Sequence, residues 1–516
     1  MTLREMIGQK LVVGFPGTEL DGEFIRLVEE YKVGNIILFR HNVESEEQLA
    51  ALCAELRRRI RAATGAEPFI TIDQEGGVVT RLPDDTTNPP GAMAIAAAGG
   101  EENAYEMGYL TGCRLRALGV DFDLAPVMDV NSNPDNPVIG VRSYGDDPAA
   151  VARYATAMMK GLTEGGVYAS LKHFPGHGDT AVDSHIGLPC IDKSLEELEQ
   201  GELIPFRAGI AAGAPAVMST HILFPQLEPG GVPATMSRAI MTDLLRGRLG
   251  FEGLVISDCM EMQAIATHYG TVNGVLAAMN AGVDLVFVSH TAALAKEAVL
   301  RAEEAVAEGK LDREEIEKSA RRILEHKARC AALRPVGGEM SREECRAAVG
   351  ALRQKSVTAV QLPAGGLPAL GETPLFLGCP DYRSTLASSA ASGDFTFAEE
   401  MCRLAGAGQA LVTPKDPTDA EIEAITAKAA GHSCLVLGTY NGHILKGQLA
   451  LARALAATGL PMILVALRNP YDLAELPPHV AGLAAWEYTP AMFRALWPVL
   501  CGETPPQGRL PLARLR

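Results

Sequence analysis

The sequence predicts an α/β chain in two units: an N-terminal (β/α)8 TIM-like barrel followed by a C-terminal α/β sandwich domain. Three observations carry that expectation. Eight short apolar runs rich in Val, Ile and Leu recur over roughly the first 300 residues, the span of one barrel. Helix-like stretches separate most of them. A second alternating region then follows a stretch bearing Pro335 and the Gly337-Gly338 pair.

Taken in order, the eight runs are Leu11–Gly14, Asn35–Phe39, Phe69–Ile72, Asp121–Ala125, Tyr168–Lys172, Ala216–Ser219, Leu254–Ser257 and Leu285–Val288. Apolar runs bounded by turns and followed by helices read as buried parallel strands. Eight such units fit a closed barrel, with an open doubly wound sheet as the alternative. The helical patterns between them include Glu47–Ala63, Ala149–Glu164, Ser194–Ala212 and Val272–Ala281. Ser194 with Glu197 three residues on has the form of a capping box. An amphipathic segment, Arg313–Cys330, closes the barrel unit, which is expected over residues 1–333. Residues 334–344 are expected to form a linker. Residues 345–516 then hold strands at Leu375–Gly378, Ala410–Thr413, Cys434–Thr439, Met462–Leu467 and Val480–Trp486, with helices such as Asp419–Ala429 and Leu449–Thr458.

Bulk composition narrows the function classes. A chain of 516 residues has room for two or three cores, and 47% apolar residues is ordinary for a globular protein. A net charge of -17 argues against a nucleic-acid partner, because phosphate binding needs clustered Lys and Arg. The start, MTLREMIGQKLVVGF, lacks a signal peptide's apolar core and cleavage site, and no apolar run is long enough to span a bilayer. The ten cysteines are scattered without a CxxC pair and read as reduced thiols, so a cytoplasmic location is expected.

Polar residues collect at the expected strand ends, the place where a (β/α)8 barrel carries its active site. Asp73-Gln74-Glu75-Gly76-Gly77 follows the third strand. Asp129 and the loop from Asn136 to Ser143, with Arg142, follow the fourth. Lys172-His173 ends the fifth and runs on through His177 and Asp179 to Asp183-Ser184-His185. Thr220-His221 follows the sixth, and Asp258 closes the seventh. Singly, an Asp after a strand is usually a helix N-cap and a His a hydrogen-bonded structural residue. Independent caps, however, would not gather Lys, Arg, several His and several Asp on one rim. His173, His177, Asp179, Asp183 and His185 also have metal-ligating side chains. Pro175, Gly176 and Gly178 keep the first two off a regular helix, and no metal or other cofactor is expected.

On these residues the chain resembles glycoside hydrolase family 3, in its NagZ-like β-N-acetylglucosaminidase branch. The segments that carry the resemblance are Ile72–Gly77, Leu124–Val130, Asn136–Tyr144, Lys172–Thr180 with Asp183-Ser184-His185, Pro233–Ser237 and Val255–Asp258. In the second unit they are Leu467–Asp472 and Glu487–Pro490. The resemblance implies a β-N-acetylhexosaminidase with Asp258 as nucleophile and Asp183 with His185 as acid/base dyad. It implies Asp73, Arg142, Lys172 and His173 as ligands of the first sugar. Where the family usually has a second Asp after the nucleophile, Cys259 and Met260 stand here.

The chemistry suits the residue types. Breaking a glycosidic bond needs an acid for the leaving oxygen and a negative group facing the oxocarbenium-like centre. A histidine replaces the usual second carboxylic acid, and it changes charge near neutral pH. In an extended segment Asp183 and His185, two residues apart, would share a face. Glu75 and Glu487 stand in reserve as acids. The expected partner is a small carbohydrate, terminal β-linked N-acetylglucosamine of muropeptides or chito-oligosaccharides. β-Glucoside hydrolysis, phosphorolysis of a glucosaminide and non-catalytic sugar binding are the alternatives. The sequence leaves the oligomeric state open.

Overall fold

The computed structural model describes residues 1–83, 86–183, 187–338, 340–385, 387–389 and 395–515. The barrel strands are β1 (Leu11–Val13), β2 (Asn35–Leu38), β3 (Phe69–Ile72), β4 (Phe122–Asp123), β5 (Tyr168–Phe174), β6 (Ala216–Ser219), β7 (Leu254–Cys259) and β8 (Leu285–Val288). They pair in parallel in sequence order, and β8 closes on β1. The open-sheet alternative is thereby excluded.

Side-chain alternation explains how the barrel is filled and how its rim is armed. Val12, Ile37, Phe69, Phe122, Tyr168, Ala216, Leu254, Ile256, Leu285 and Phe287 form one buried cluster along the axis. Their neighbours Leu11, Val13, Ile36, Ile70, Ile72, Leu171, Val217, Val255 and Val286 join the larger cluster facing the helices. A period of two then carries Asp73 on from Phe69 and Thr71, Lys172 from Tyr168 and Ser170, and Asp258 from Leu254 and Ile256. All three side chains thus fall on the axial side at the carboxyl end.

The helices follow their capping signals. Ser45 accepts from Gln48 N at the head of Glu46–Thr64, and Asp147 with Pro148 opens Pro148–Glu164. The capping box at Ser194 and Glu197 is formed. The helix expected over Ser194–Ala212 is two pieces, Leu195–Gln200 and Leu203–Ala211, because the chain turns at Gly201.

The second unit is a six-stranded sheet of order β11-β10-β12-β13-β14-β9, comprising β9 (Thr358–Gln361), β10 (Leu375–Gly378), β11 (Gln409–Val412), β12 (Leu435–Thr439), β13 (Met462–Ala466) and β14 (Val480–Ala484). Only β9 runs antiparallel. Alternate residues again serve two cores. Leu375, Leu377, Leu437 and Leu464 pack on the side of helices Asp419–Ala427 and Lys446–Ala456. Phe376, Val436, Ile463 and Val465 pack on the side of Phe397–Ala405 and Pro490–Leu500. The helix Arg342–Ser356 begins within the stretch read as a linker. The two units are tied by Val141 N to Asn469 Oδ1 (3.0 Å), Asn131 Nδ2 to Tyr471 Oη (2.9 Å) and Arg509 N to Ala97 O (2.8 Å).

Candidate active site

A cavity of about 740 Å³ opens at the carboxyl end of the barrel. Of the residues singled out in the sequence, Asp73, Arg142, Lys172, His173 and Asp258 all line it. Asp183 is buried in the loop after β5, where its carbonyl accepts from Gly187 N (3.0 Å), and is not among the lining residues. His185 lies outside the described residues.

The polar wall is built around Glu75. Its carboxylate accepts from Arg142 Nε (2.8 Å) and Nη2 (2.7 Å), and Lys172 Nζ stands 2.6 Å from Oε1. Burial alone would raise the Glu75 pKa. The Arg142 guanidinium and Lys172 ammonium outweigh it and hold the group well below the carboxylate range. A carboxyl kept ionised this firmly cannot deliver a proton, so Glu75 is not a reserve acid. Glu487 is not one either: it belongs to the second unit and is paired with Arg353 (2.9 Å) away from the cavity. Lys172 also donates to Asp73 Oδ1 (2.8 Å), and Arg81 stands 3.7 Å from Asp73 Oδ2. Burial opposes the Lys172 charge, but Asp73 and Glu75 raise its pKa on balance.

Asp129 organises the loop after β5. Its Oδ1 accepts from the backbone N of His173 (3.2 Å) and His177 (2.7 Å), and its Oδ2 meets His173 Nδ1 (2.7 Å). Burial would raise its pKa, yet His173 lowers it on balance. With Nδ1 committed, Nε2 is the His173 nitrogen left for the cavity. His177 is pushed down to about 4 by burial and by His173, so it is neutral at physiological pH. Gly178 is dictated by close approach: a Cβ there would sit 1.7 Å from Val130 O. Among the described residues no three His, Cys, Asp or Glu side chains converge as a metal ion requires.

Opposite this wall, Cys259 N donates to Asp258 Oδ1 (2.7 Å). His221 braces the end of β7 instead of facing the cavity, bonding Cys259 O through Nε2 (2.9 Å) and Thr235 Oγ1 through Nδ1 (2.9 Å). Cys259, where the resemblance leads one to expect a carboxylate, lines the cavity with its thiol pushed up to about 11 by burial.

Several lining residues had no signal as site residues in the sequence. Arg81 is one, and it follows Asp73 by eight positions. Phe39, His41 and His290 form an aromatic rim, with Phe39 4.9 Å from the His290 ring. Arg383, Ser388 and Ser389 reach in from the second unit. Ser389 Oγ donates to Thr80 O (2.7 Å), its N to Val78 O (2.8 Å), and Arg468 donates to Ser388 Oγ (3.1 Å). Only the pairing of the two units brings these together.

A barrel with carboxylates set against fixed cations and imidazoles around a ring-sized cleft falls in the class of glycoside-cleaving enzymes. The comparison with known families narrows this. Residues 2–326 match the glycosyl hydrolase family 3 N terminal domain, and the chain belongs to that family. It is 38% identical over 317 residues to beta-hexosaminidase A of Pseudoalteromonas piscicida, a match covering 55% of this chain; the chain spans about half, 53%, of that relative's length. It is 38% identical over 286 residues to the beta-hexosaminidase of Xylella fastidiosa (strain M23), covering 54% of this chain and 83% of the relative. The solved structure of a glycoside hydrolase family 3 beta-N-acetylglucosaminidase from Paenibacillus sp. str. FPU-7 superposes with a TM-score of 0.92 at 38% identity. That match covers 100% of this chain and 99% of the other.

Proposed function

We propose that this chain is a retaining exo-β-N-acetylglucosaminidase that removes terminal β-linked N-acetylglucosamine from muropeptides or chito-oligosaccharides. The observation that carries the reading is Asp258 on the same cavity as Asp73, Arg142, Lys172 and His173. The names borne by the relatives and by the superposing structure support the sugar class.

In this mechanism Asp73, Arg142, Lys172 and His173 hold the hydroxyls of the first sugar, and a poorly matching sugar leaves buried groups unpaired. The Asp258 carboxylate attacks the anomeric carbon, the bond to the leaving oxygen breaks, and a glycosyl-enzyme forms. His185, oriented by Asp183, gives the leaving oxygen its proton, then takes a proton from the water that releases the sugar. The ten free thiols suit a reducing compartment and the cytoplasmic placement.

Aryl β-N-acetylglucosaminide and aryl β-glucoside, each assayed with and without phosphate, test the substrate class. The N-acetylglucosaminide should be hydrolysed faster, with no phosphate requirement; far faster cleavage of the glucoside would sink the reading. Replacing His185 by Ala should slow substrates with poor leaving groups by about 10²-fold or more, and activated aryl glycosides much less. Equal losses on both would remove the acid/base role.

A further inference from the structure

We propose that Phe39, His41 and His290 form a platform for the second sugar ring of the substrate, the one that departs when the bond breaks. This role presupposes the glycosidase reading above and adds to it what selects the leaving group. All three rings line the barrel cavity, and none belongs to the set that holds the first sugar. Phe39 is half-buried, and both histidines are exposed. The His41 ring stacks on Phe39 at 5.6 Å and 17°, and the His290 ring lies 4.9 Å from Phe39 at 33°. Exposed rings add little to a core, whereas flat side chains on a cavity wall are a common means of holding a ring-shaped ligand.

The platform is tied to the barrel at both ends. His41 Nε2 meets Phe15 O (3.2 Å), and the carboxylate of Glu261, just beyond Asp258 in the chain, accepts from His290 N (2.6 Å). It also stands on the side of the mouth to which the departing sugar points. Asp73, Lys172 and His173 come from the ends of β3 and β5, and Arg142 from the loop after β4, whereas Phe39 follows β2 and His290 follows β8. In the closed ring of strands β8 lies across from β4. A β-linked N-acetylglucosamine carries its C1 and C4 substituents equatorially, at opposite ends of the ring. With its far hydroxyls on the β3–β5 wall and C1 at Asp258, the bond to be broken points away from that wall, toward the rings. One face of the next β-linked sugar is a row of axial C–H groups, an apolar patch that a flat side chain covers from water.

Kinetics on di-N-acetylchitobiose and on methyl β-N-acetylglucosaminide, whose leaving group has no ring, test the platform. In His290→Ala, kcat/KM on the disaccharide should fall about 10-fold further than on the methyl glycoside, chiefly through KM. His290→Phe keeps a flat ring and should restore most of the preference for the disaccharide. His290 is exposed, so neither substitution opens a packed core. Unchanged kinetics in His290→Ala, or equal losses on the two glycosides, would overturn the platform, as would a His290→Phe variant no better than His290→Ala. If the wild-type chain cleaves neither N-acetylglucosaminide, the glycosidase reading itself falls, and the platform with it.

Discussion

Replacing Glu75 by Gln tests whether the barrel rim is held together by one buried charge. The wild-type carboxylate meets three donors, Arg142 Nε, Arg142 Nη2 and Lys172 Nζ, at 2.8, 2.7 and 2.6 Å. Both cationic side chains are nearly inaccessible, at 3% and 2% exposure. Gln keeps one acceptor oxygen and turns an NH2 group toward the remaining donors, so a buried cation faces a donor with no anion to balance it. Hydrogen bonds to charged groups contribute about 1.5–3 kcal/mol each, and breaking a buried pair from one side costs about 3–5 kcal/mol. A loss of about 3 kcal/mol is therefore expected. Urea unfolding measures it, followed by far-ultraviolet circular dichroism because both tryptophans, Trp486 and Trp497, lie in the second unit. The sign with pH follows from the lowered Glu75 pKa. Its contribution is fully present above the unfolded value of about 4.3 and fades as pH falls from there toward the lower folded value. The gap between wild type and variant should thus be flat from about pH 6 to 8 and shrink below about pH 4. The variant should also raise KM, since Lys172 and Arg142 lose their shared anchor. A loss under about 1 kcal/mol together with an unchanged KM would refute this account of the rim.

Three further outcomes follow from the same geometry. Asp123 is fully buried, is pushed up to about 8 by burial, and has an Oδ2 without a partner among the described residues. Because a raised acid pKa weakens the fold as pH rises between the unfolded and folded values, Asp123→Asn should gain on wild type by up to about 1.4 kcal/mol per pH unit from about pH 4 to 8; equal slopes in urea titrations would count against it. Gly178→Ala should cost about 3 kcal/mol or more and most of the activity, because the new Cβ would overlap Val130 O and displace the loop that Asp129 holds; a melting temperature within a degree or so of wild type would contradict this. Arg468→Ala removes the bond to Ser388 Oγ and the contact with Tyr440 at 2.7 Å, and should raise KM by about 10-fold with a smaller change in kcat; an unchanged KM would show that residues 387–389 hold their place without it.

The parts of this molecule legible in the sequence are those governed by short-range periodicity. Eight apolar runs announced eight strands, because a strand buried on both faces must be apolar at consecutive positions. Period two alone put Asp73, Lys172 and Asp258 on the barrel axis. β9 escaped notice because Thr358–Gln361 is an edge strand, half exposed beyond its first residue and without an alternating pattern. The break at Gly201 was hidden because apolar helix formers stand on both sides of it. Glu75 illustrates the deeper limit. As a residue type it is a plausible proton donor, and only the arrival of Arg142 and Lys172 from two other strand ends turns it into a fixed anion. Arg383 and Ser388 go further still, since no local pattern tells a loop of the second unit that it will line a cavity in the first. Local sequence therefore specifies which side chains reach the rim, whereas the charge state and partner of each are set by residues distant in the chain. Chemistry at this site is a property of the assembled rim, and a substitution at Glu75 or Arg468 should disturb it as surely as one at a residue that touches the sugar.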